Sequence, residues 1–414
     1  MITNPNIPTD PRTPGSLQGW VLVSNSWLLI MASALIAPVL PRMTAQFRDT
    51  PNAPVLISLV ATLPALFIAL LSAPFGLLAD RIGRRRLLLF GLAVYGFLGI
   101  APYWLHSLQW IVASRAGVGV TEAMVMTCSS ALIGDYYSGA SRGRWFALQT
   151  GSASVVAILM GMTGGILGEH GWRVPFTVYS FGFLLFPLVA FLIWEPSQAD
   201  ARHRSRINLL LQPQSDEQSF SWSGLLGICL ITFFAATAFY VVVIQLSFIL
   251  TERGFASPKL IGIGAALAGL AMACGSATFS ILHVRHTVKL AISFILSSTG
   301  FFIMTYAHTY GLTIAGAAIN EAGSGLVLPT LVTWAVSGLP LHLRGRGTGA
   351  WLSSFALGQF ASPLLVLALA HLLGGRVQAV HTYAIACGVA AVISVLAVLR
   401  SKLRAGSAYA LSQG

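Results

Sequence analysis

Twelve apolar runs follow one another along the chain, near residues 19–41, 53–79, 87–104, 108–134, 145–168, 174–194, 222–250, 260–282, 288–307, 310–337, 347–372 and 379–399. Each is close to the ~20 residues that carry an α-helix through a hydrocarbon core. Within lipid the backbone must satisfy its own hydrogen bonds, and continuous apolar runs of this length do so as helices. The connectors are short except for Glu195 to Ser221, which divides the runs six and six. The predicted fold class is all-α integral membrane, with twelve transmembrane helices in two pseudo-symmetric six-helix bundles. The predicted divisions are an N-terminal tail (1–18), a first bundle (19–194), a linker (195–221), a second bundle (222–399) and a C-terminal tail (400–414). Within the linker, Asn208-Leu209-Leu210-Leu211 suits the membrane interface.

Composition agrees with this pattern. The 414 residues are 56% hydrophobic and only 9% charged, against roughly 25% charged in soluble domains. The segment Met1 to Gln18 is polar and lacks the order of a cleavable signal, so it is expected to stay as a tail before a retained first span. Cys128, Cys229, Cys274 and Cys387 all lie in apolar runs and read as small buried hydrophobes, not as a disulfide or metal framework. No histidine spacing suggests a zinc site, and no cofactor is expected.

The net charge of +12 gains its meaning from position. Of the 24 Lys and Arg, 17 fall in loops and tails on the side of the termini, six on the other side, and Arg115 within a span. That bias puts both termini in the cytoplasm. The excess is topological and lipid-facing, and does not imply nucleic acid. Arg142-Gly143-Arg144 after the fourth span returns as Arg344-Gly345-Arg346 after the tenth, an offset of 202 residues. Two matched halves suit a transporter whose binding site lies near the midplane between them.

Between the second and third spans stands Gly76-Leu77-Leu78-Ala79-Asp80-Arg81-Ile82-Gly83-Arg84-Arg85-Arg86. This string, in this place, closely resembles the signature loop of the major facilitator superfamily. The resemblance implies a latch built from Gly76, Asp80, Arg81, Gly83, Arg84, Arg85 and Asp135: Asp80 is expected to cap the start of the eleventh span near Gly347-Thr348, and Arg84 to reach Asp135 at the end of the fourth. Arg115 with Gly119 resembles the family's signature in that fourth span, and Pro38-Val39-Leu40-Pro41 a pattern of twelve-span drug:proton antiporters. The fifth span ends Gly161-Met162-Thr163-Gly164-Gly165, with Met160-Gly161 where antiporters carry a glycine-proline step. The stretch from Arg115 through Glu122 to Arg173 is similar to the spinster-type branch. At Arg285 and Lys289, where the second half would repeat the signature loop, its glycine-acid core is gone.

Of the twelve acids, only Glu122 and Glu321 lie deep within spans. A charge at the bilayer centre costs ~2.5–3.5 kcal/mol on insertion scales, so Arg115, Glu122 and Glu321 are candidates for proton coupling. Seven residues separate Arg115 from Glu122, which sets them on one helix face with ~10 Å of rise between them. A desolvated glutamate can load and release a proton near neutral pH. Arg115 could serve Glu122 or a substrate carboxylate. Candidates for the substrate cavity are Asn25, Tyr240, Gln245, Asn320 and Gln359, with Phe233, Phe234 and Trp334 as an aromatic wall. Pro64, Pro74, Pro187, Pro329 and Pro363 are expected to kink spans, and Gly161, Gly164, Gly165 and Gly168 to let helices pack closely.

The resulting expectation is a secondary transporter in the bacterial inner membrane, acting as a monomer. It would exchange protons for an amphipathic small molecule or drug by alternating access. Proton-coupled uptake of an organic anion, and a non-transporting membrane sensor on the same scaffold, are the alternatives. No phosphate-cradling Gly-x-x-x-x-Gly-Lys string and no Ser/His/Asp or His-Glu-x-x-His arrangement occurs, so neither ATP drive nor enzyme chemistry is expected.

Overall fold

A computed structural model describes residues 13–196, 222–337, 339 and 344–411; most of the 195–221 linker and most of the N-terminal tail lie outside the described residues. Twelve helices there are long and apolar enough to cross a membrane: Ser16–Gln46, Ala53–Ile82, Arg84–Tyr103, Leu108–Tyr136, Gly139–Glu169, Val174–Leu192, Ser223–Glu252, Pro258–Ile281, His286–Tyr306, Tyr310–Ala335, Gly347–Leu373 and Arg376–Arg400. They are spans 1 to 12 below. Among the described residues there is no β-strand. Side chains such as Leu77, Phe97, Phe191 and Ile281 stand exposed on the flanks. That surface is stable only with lipid as its solvent.

The second half repeats the pairings of the first. Spans 1 and 5, 2 and 4, 3 and 4, and 3 and 6 pack together, as do 7 and 11, 8 and 10, 9 and 10, and 9 and 12. Between the halves, span 5 meets span 8, span 2 meets span 11, and span 7 meets span 1. Small residues permit the closest of these approaches. A Cβ on Gly165 would fall 2.6 Å from the Pro258 carbonyl, and one on Gly262 would fall 2.6 Å from the Gly161 carbonyl. No side chain fits between spans 5 and 8 there.

Pro64, Pro74, Pro187, Pro329 and Pro363 sit inside continuous helices. Span 1 is irregular in mid-length, where a π turn covers Met31–Leu35 and a 3₁₀ turn Ala37–Val39. Pro38 lacks the amide that would continue the ladder, so the helix changes its winding just before it.

Candidate functional site

Glu122 of span 4 and Glu321 of span 10 are only 1% and 3% exposed, so both carboxyls face protein and not lipid. Both oxygens of Glu122 and Oε2 of Glu321 have no hydrogen-bond partner among the described residues. Tyr240 of span 7 is buried, and its hydroxyl lies within electrostatic range of Ser33 of span 1 and of both carboxyls. Groups of spans 1, 4 and 10 thus act on one phenol of span 7. Ser33 lies in the π turn of span 1, where the ladder widens.

Arg115 takes another direction from the one its spacing suggested. It is fully buried, and its Nη2 donates to the Leu98 and Gly99 carbonyls of span 3, at 3.0 Å each. Its guanidinium lies over the rings of Tyr179 (4.7 Å) and Phe176 (5.2 Å) of span 6. It forms no ion pair with Glu122, although Glu122 lies within its field. The side chain of a long residue leaves its own helix stripe, so a shared face at seven-residue spacing did not become a contact. Arg115 ties spans 3, 4 and 6 together.

The remaining polar candidates divide by what they bond. Asn25 is fully buried with neither amide atom partnered, and Gln245 is buried with Oε1 unpartnered. Asn320 donates from Nδ2 to the Ser297 carbonyl of span 9 at 3.0 Å, which leaves its oxygen unpartnered. Gln359 is buried in span 11. The expected aromatic wall is relocated. Phe234 packs on Phe294 (5.9 Å), Trp334 stacks on His286 (6.2 Å), and the Phe233 backbone lies against Gly358. Tyr240 belongs instead to an aromatic group with Phe239, Phe355 and Trp351. Its rings are 4.8 Å (Phe239–Tyr240), 5.9 Å (Tyr240–Phe355) and 5.8 Å (Phe355–Trp351) apart. Phe355 and Trp351 share a face of span 11 at the four-residue spacing, but an aromatic in a span gives no sign of which neighbour it meets.

At the face that carries the signature loop, Arg84 bonds Asp135 of span 4 through Nη1 and Asp80 through Nη2 at 3.0 Å. Asp80 is therefore engaged by Arg84 within its own half. Gly83 takes φ +107°, a turn that favours glycine, and a Cβ there would also press on Glu195. Glu195 accepts from the Arg84 and Arg85 amides at 2.7 and 2.8 Å, capping span 3. Arg85 reaches the Ile193 and Ala190 carbonyls at the end of span 6, both at 2.7 Å. Gly76 and Arg81 lie on the last turns of span 2. Glu195 was one of the twelve acids in view but carried no motif to single it out. In the second half Lys289 turns inward to the Phe279 carbonyl at 3.1 Å.

Twelve spans in two matched halves, with polar groups at their meeting line, define a membrane transport protein. A sequence model of the Major Facilitator Superfamily matches residues 22–285, and the chain belongs to that family. It is 25% identical to the class B tetracycline resistance protein of Escherichia coli, over 81% of this chain and 84% of that one. It is 23% identical to the quinolone resistance protein NorA of Staphylococcus aureus, over 92% and 96%. With the multidrug efflux pump LfrA of Mycolicibacterium smegmatis it shares 32% identity over 41% of this chain and 34% of the pump. Among solved structures it superposes on a bacterial homologue of the human lysosomal transporter Spinster, inward-facing and occupied. The TM-score is 0.69 at 15% identity, covering 93% of this chain and 97% of that one. A POT family transporter in complex with 5-aminolevulinic acid gives a TM-score of 0.69 at 14% identity, covering 92% and 95%. Like them, the chain is a twelve-span membrane transporter and not an enzyme.

Proposed function

We propose that the chain exports an amphipathic small molecule in exchange for protons, by alternating access between two halves, 19–194 and 222–399, with both termini cytoplasmic. The observation that carries this reading is the pair of buried carboxyls in spans 4 and 10, Glu122 with both oxygens and Glu321 with one oxygen left without a hydrogen-bond partner. An ionised carboxylate without hydrogen-bond donors is costly in a low-dielectric interior. A proton removes that cost, and so does a cationic substrate. One carboxyl can therefore hold either but not both, and that exclusion is the physical basis of exchange. The surroundings favour a substrate that donates hydrogen bonds: the unpartnered oxygens of Glu122, Gln245, Asn320 and Glu321 are acceptors. The aromatic group of Phe239, Tyr240, Phe355 and Trp351 suits a flat apolar body and, through its π faces, a positive charge.

Arg115 donates through Nη2 to span 3 carbonyls and lies over span 6 rings, and its Nε and Nη1 are buried without partners. Its role in coupling is to bias Glu122 through the field. Asn25, Gln245, Asn320 and Gln359 complete the polar lining. The Arg84–Asp135–Asp80 cluster steadies the cytoplasmic end of the first half, and Asp80 exchanges Arg84 for the start of span 11 when the cavity faces outward. The relatives' resistance to tetracycline and quinolones supports export as the direction.

The reading is tested in proteoliposomes with an imposed pH gradient, using ethidium as the cationic substrate and an organic carboxylate as comparison. Ethidium flux driven by the gradient is expected. E122Q and E321Q are each expected to abolish gradient-driven flux and retain counterflow. Wild-type pH dependence in both variants contradicts the assignment, and flux of the carboxylate alone overturns the direction.

A further inference from the structure

At the face opposite the signature loop, the last residue of span 5 reaches across to the other half. Glu169 Oε1 accepts from Ser257 Oγ at 2.5 Å and from the Lys259 amide at 3.0 Å. Its Oε2 pairs with Arg42 Nη2, at the end of span 1, at 3.3 Å. Glu169 closes its own helix, Gly139–Glu169, where exposed carbonyls disfavour an anion. Ser257 is the N-cap of span 8, and Lys259 lies in its first turn, where amides lack helical partners. The carboxylate thus serves a helix of the second half at the expense of its own. Arg42 completes the bond set by donating through Nη1 to the Gly168 and Glu169 carbonyls at 2.7 and 3.2 Å. Spans 1, 5 and 8 are fastened at one point.

Beneath this point the halves meet on backbone. A Cβ on Gly168 would fall 2.5 Å from Val39 Cγ1 and 3.0 Å from Pro258 Cβ, and one on Gly165 would fall 2.6 Å from the Pro258 carbonyl. A flat glycine contact packs well but has little direction. Charge-assisted bonds at its rim supply direction, and they can be exchanged for water without leaving a buried charge, because Glu169 and Arg42 are each about one-third exposed.

We propose that Glu169 is the releasable fastener of this face. It is a positioning residue that holds spans 1, 5 and 8 together in the closed arrangement and lets go when the cavity opens to this side. Its place in the cycle rests on the alternating-access reading, while the fastening itself does not. A sensitive reporter is Val39, fully buried under Gly168. In a protein whose four cysteines are replaced by serine, V39C is exposed to a membrane-impermeant thiol reagent from each side in turn.

Adding E169A is expected to raise its labelling rate from one side about tenfold, the effect of losing a bond to a charged group. S257A is expected to raise it less, and E169Q, which keeps one acceptor oxygen, is expected to lie between E169A and the parent. A purely structural role lowers thermal stability without changing labelling from one side only. Labelling of E169A at the parent rate overturns the proposal. Should E169A fail to insert, E169C/S257C joined by a short reducible cross-linker decides. Flux is expected to stop on joining and return on reduction, and full flux through the joined protein overturns the fastener. Absence of flux in the unjoined parent counts against transport alone, and the labelling result stands without it.

Discussion

The two faces of the molecule use the same device in opposite ways. At each, a glutamate accepts from groups in the first turn of a helix that is not its own. Glu195 does so for span 3, at 2.7 and 2.8 Å, from a position just beyond span 6. Both partners belong to the first half, and Arg84 and Arg85 bond further groups of that half: Asp80, Asp135 and the Ile193 carbonyl. Glu169 does so for span 8, and its partners span both halves. A capping carboxylate within one bundle rigidifies a moving part, and the same carboxylate between bundles controls whether the parts separate. The elementary chemistry is shared, and topology alone decides which role follows.

Substitutions can break or sharpen this contrast. The largest effect is expected from G165V. Its side chain cannot share space with Pro258 and Gly262, so spans 5 and 8 part, and overpacking of this kind costs about 1–3 kcal/mol. Labelling of V39C should approach that of a denatured control, with the signature-loop face unchanged. Next comes R84A, which takes a guanidinium away from the partly buried Asp135. A loss of about 1.5 kcal/mol is expected, read as a lower melting temperature in detergent, without one-sided labelling. E195Q should act in the same way but more weakly, near 1 kcal/mol, since one amide oxygen remains to accept. R42A is expected to be the mildest. Its pair with Glu169 is about one-third exposed on each side, and exposed pairs contribute less than about 1 kcal/mol. Its labelling effect should fade as salt is raised. One-sided labelling in R84A, or none in G165V, removes the distinction between the faces.

Much of the scaffold was legible in the residues alone, because lipid imposes a length and an apolarity that few other settings demand. The predicted runs fall within a few residues of the helices, except at span 5, which begins at Gly139 and so extends over Arg142 and Arg144. Arg84 with Asp135 was legible as well, through a loop whose order of residues is long and specific. The two glutamates stood out because charge at membrane depth is rare. What stayed hidden depended on side-chain direction or on partners distant in the chain. Arg115 shares a stripe with Glu122, yet its guanidinium leaves that stripe for carbonyls 16 and 17 residues earlier. Phe355 and Trp351 are apolar residues among apolar residues, and only packing sets them beside Tyr240. Ser33 lies in the π turn Met31–Leu35, and a proline at 38 signals a change of winding without saying which side chain it turns inward. Glu169 lies 88 residues from Ser257, in what reads as an ordinary connector.

In this arrangement both oxygens of Glu122 and Oε2 of Glu321 are closed to solvent. In the proposed exchange the sealing must be temporary, with one face opening while the other is fastened. The carboxyls would then meet water from one side at a time, and a bound cation would displace their protons.

The most direct measurement is therefore proton release on substrate binding. Purified protein in weakly buffered detergent, with a pH-sensitive dye, receives ethidium at saturating concentration. Acidification of the medium is expected from the wild type, reduced in either E122Q or E321Q and absent when both glutamates are replaced. Binding of ethidium without any acidification of the medium contradicts competition between proton and substrate at these two groups.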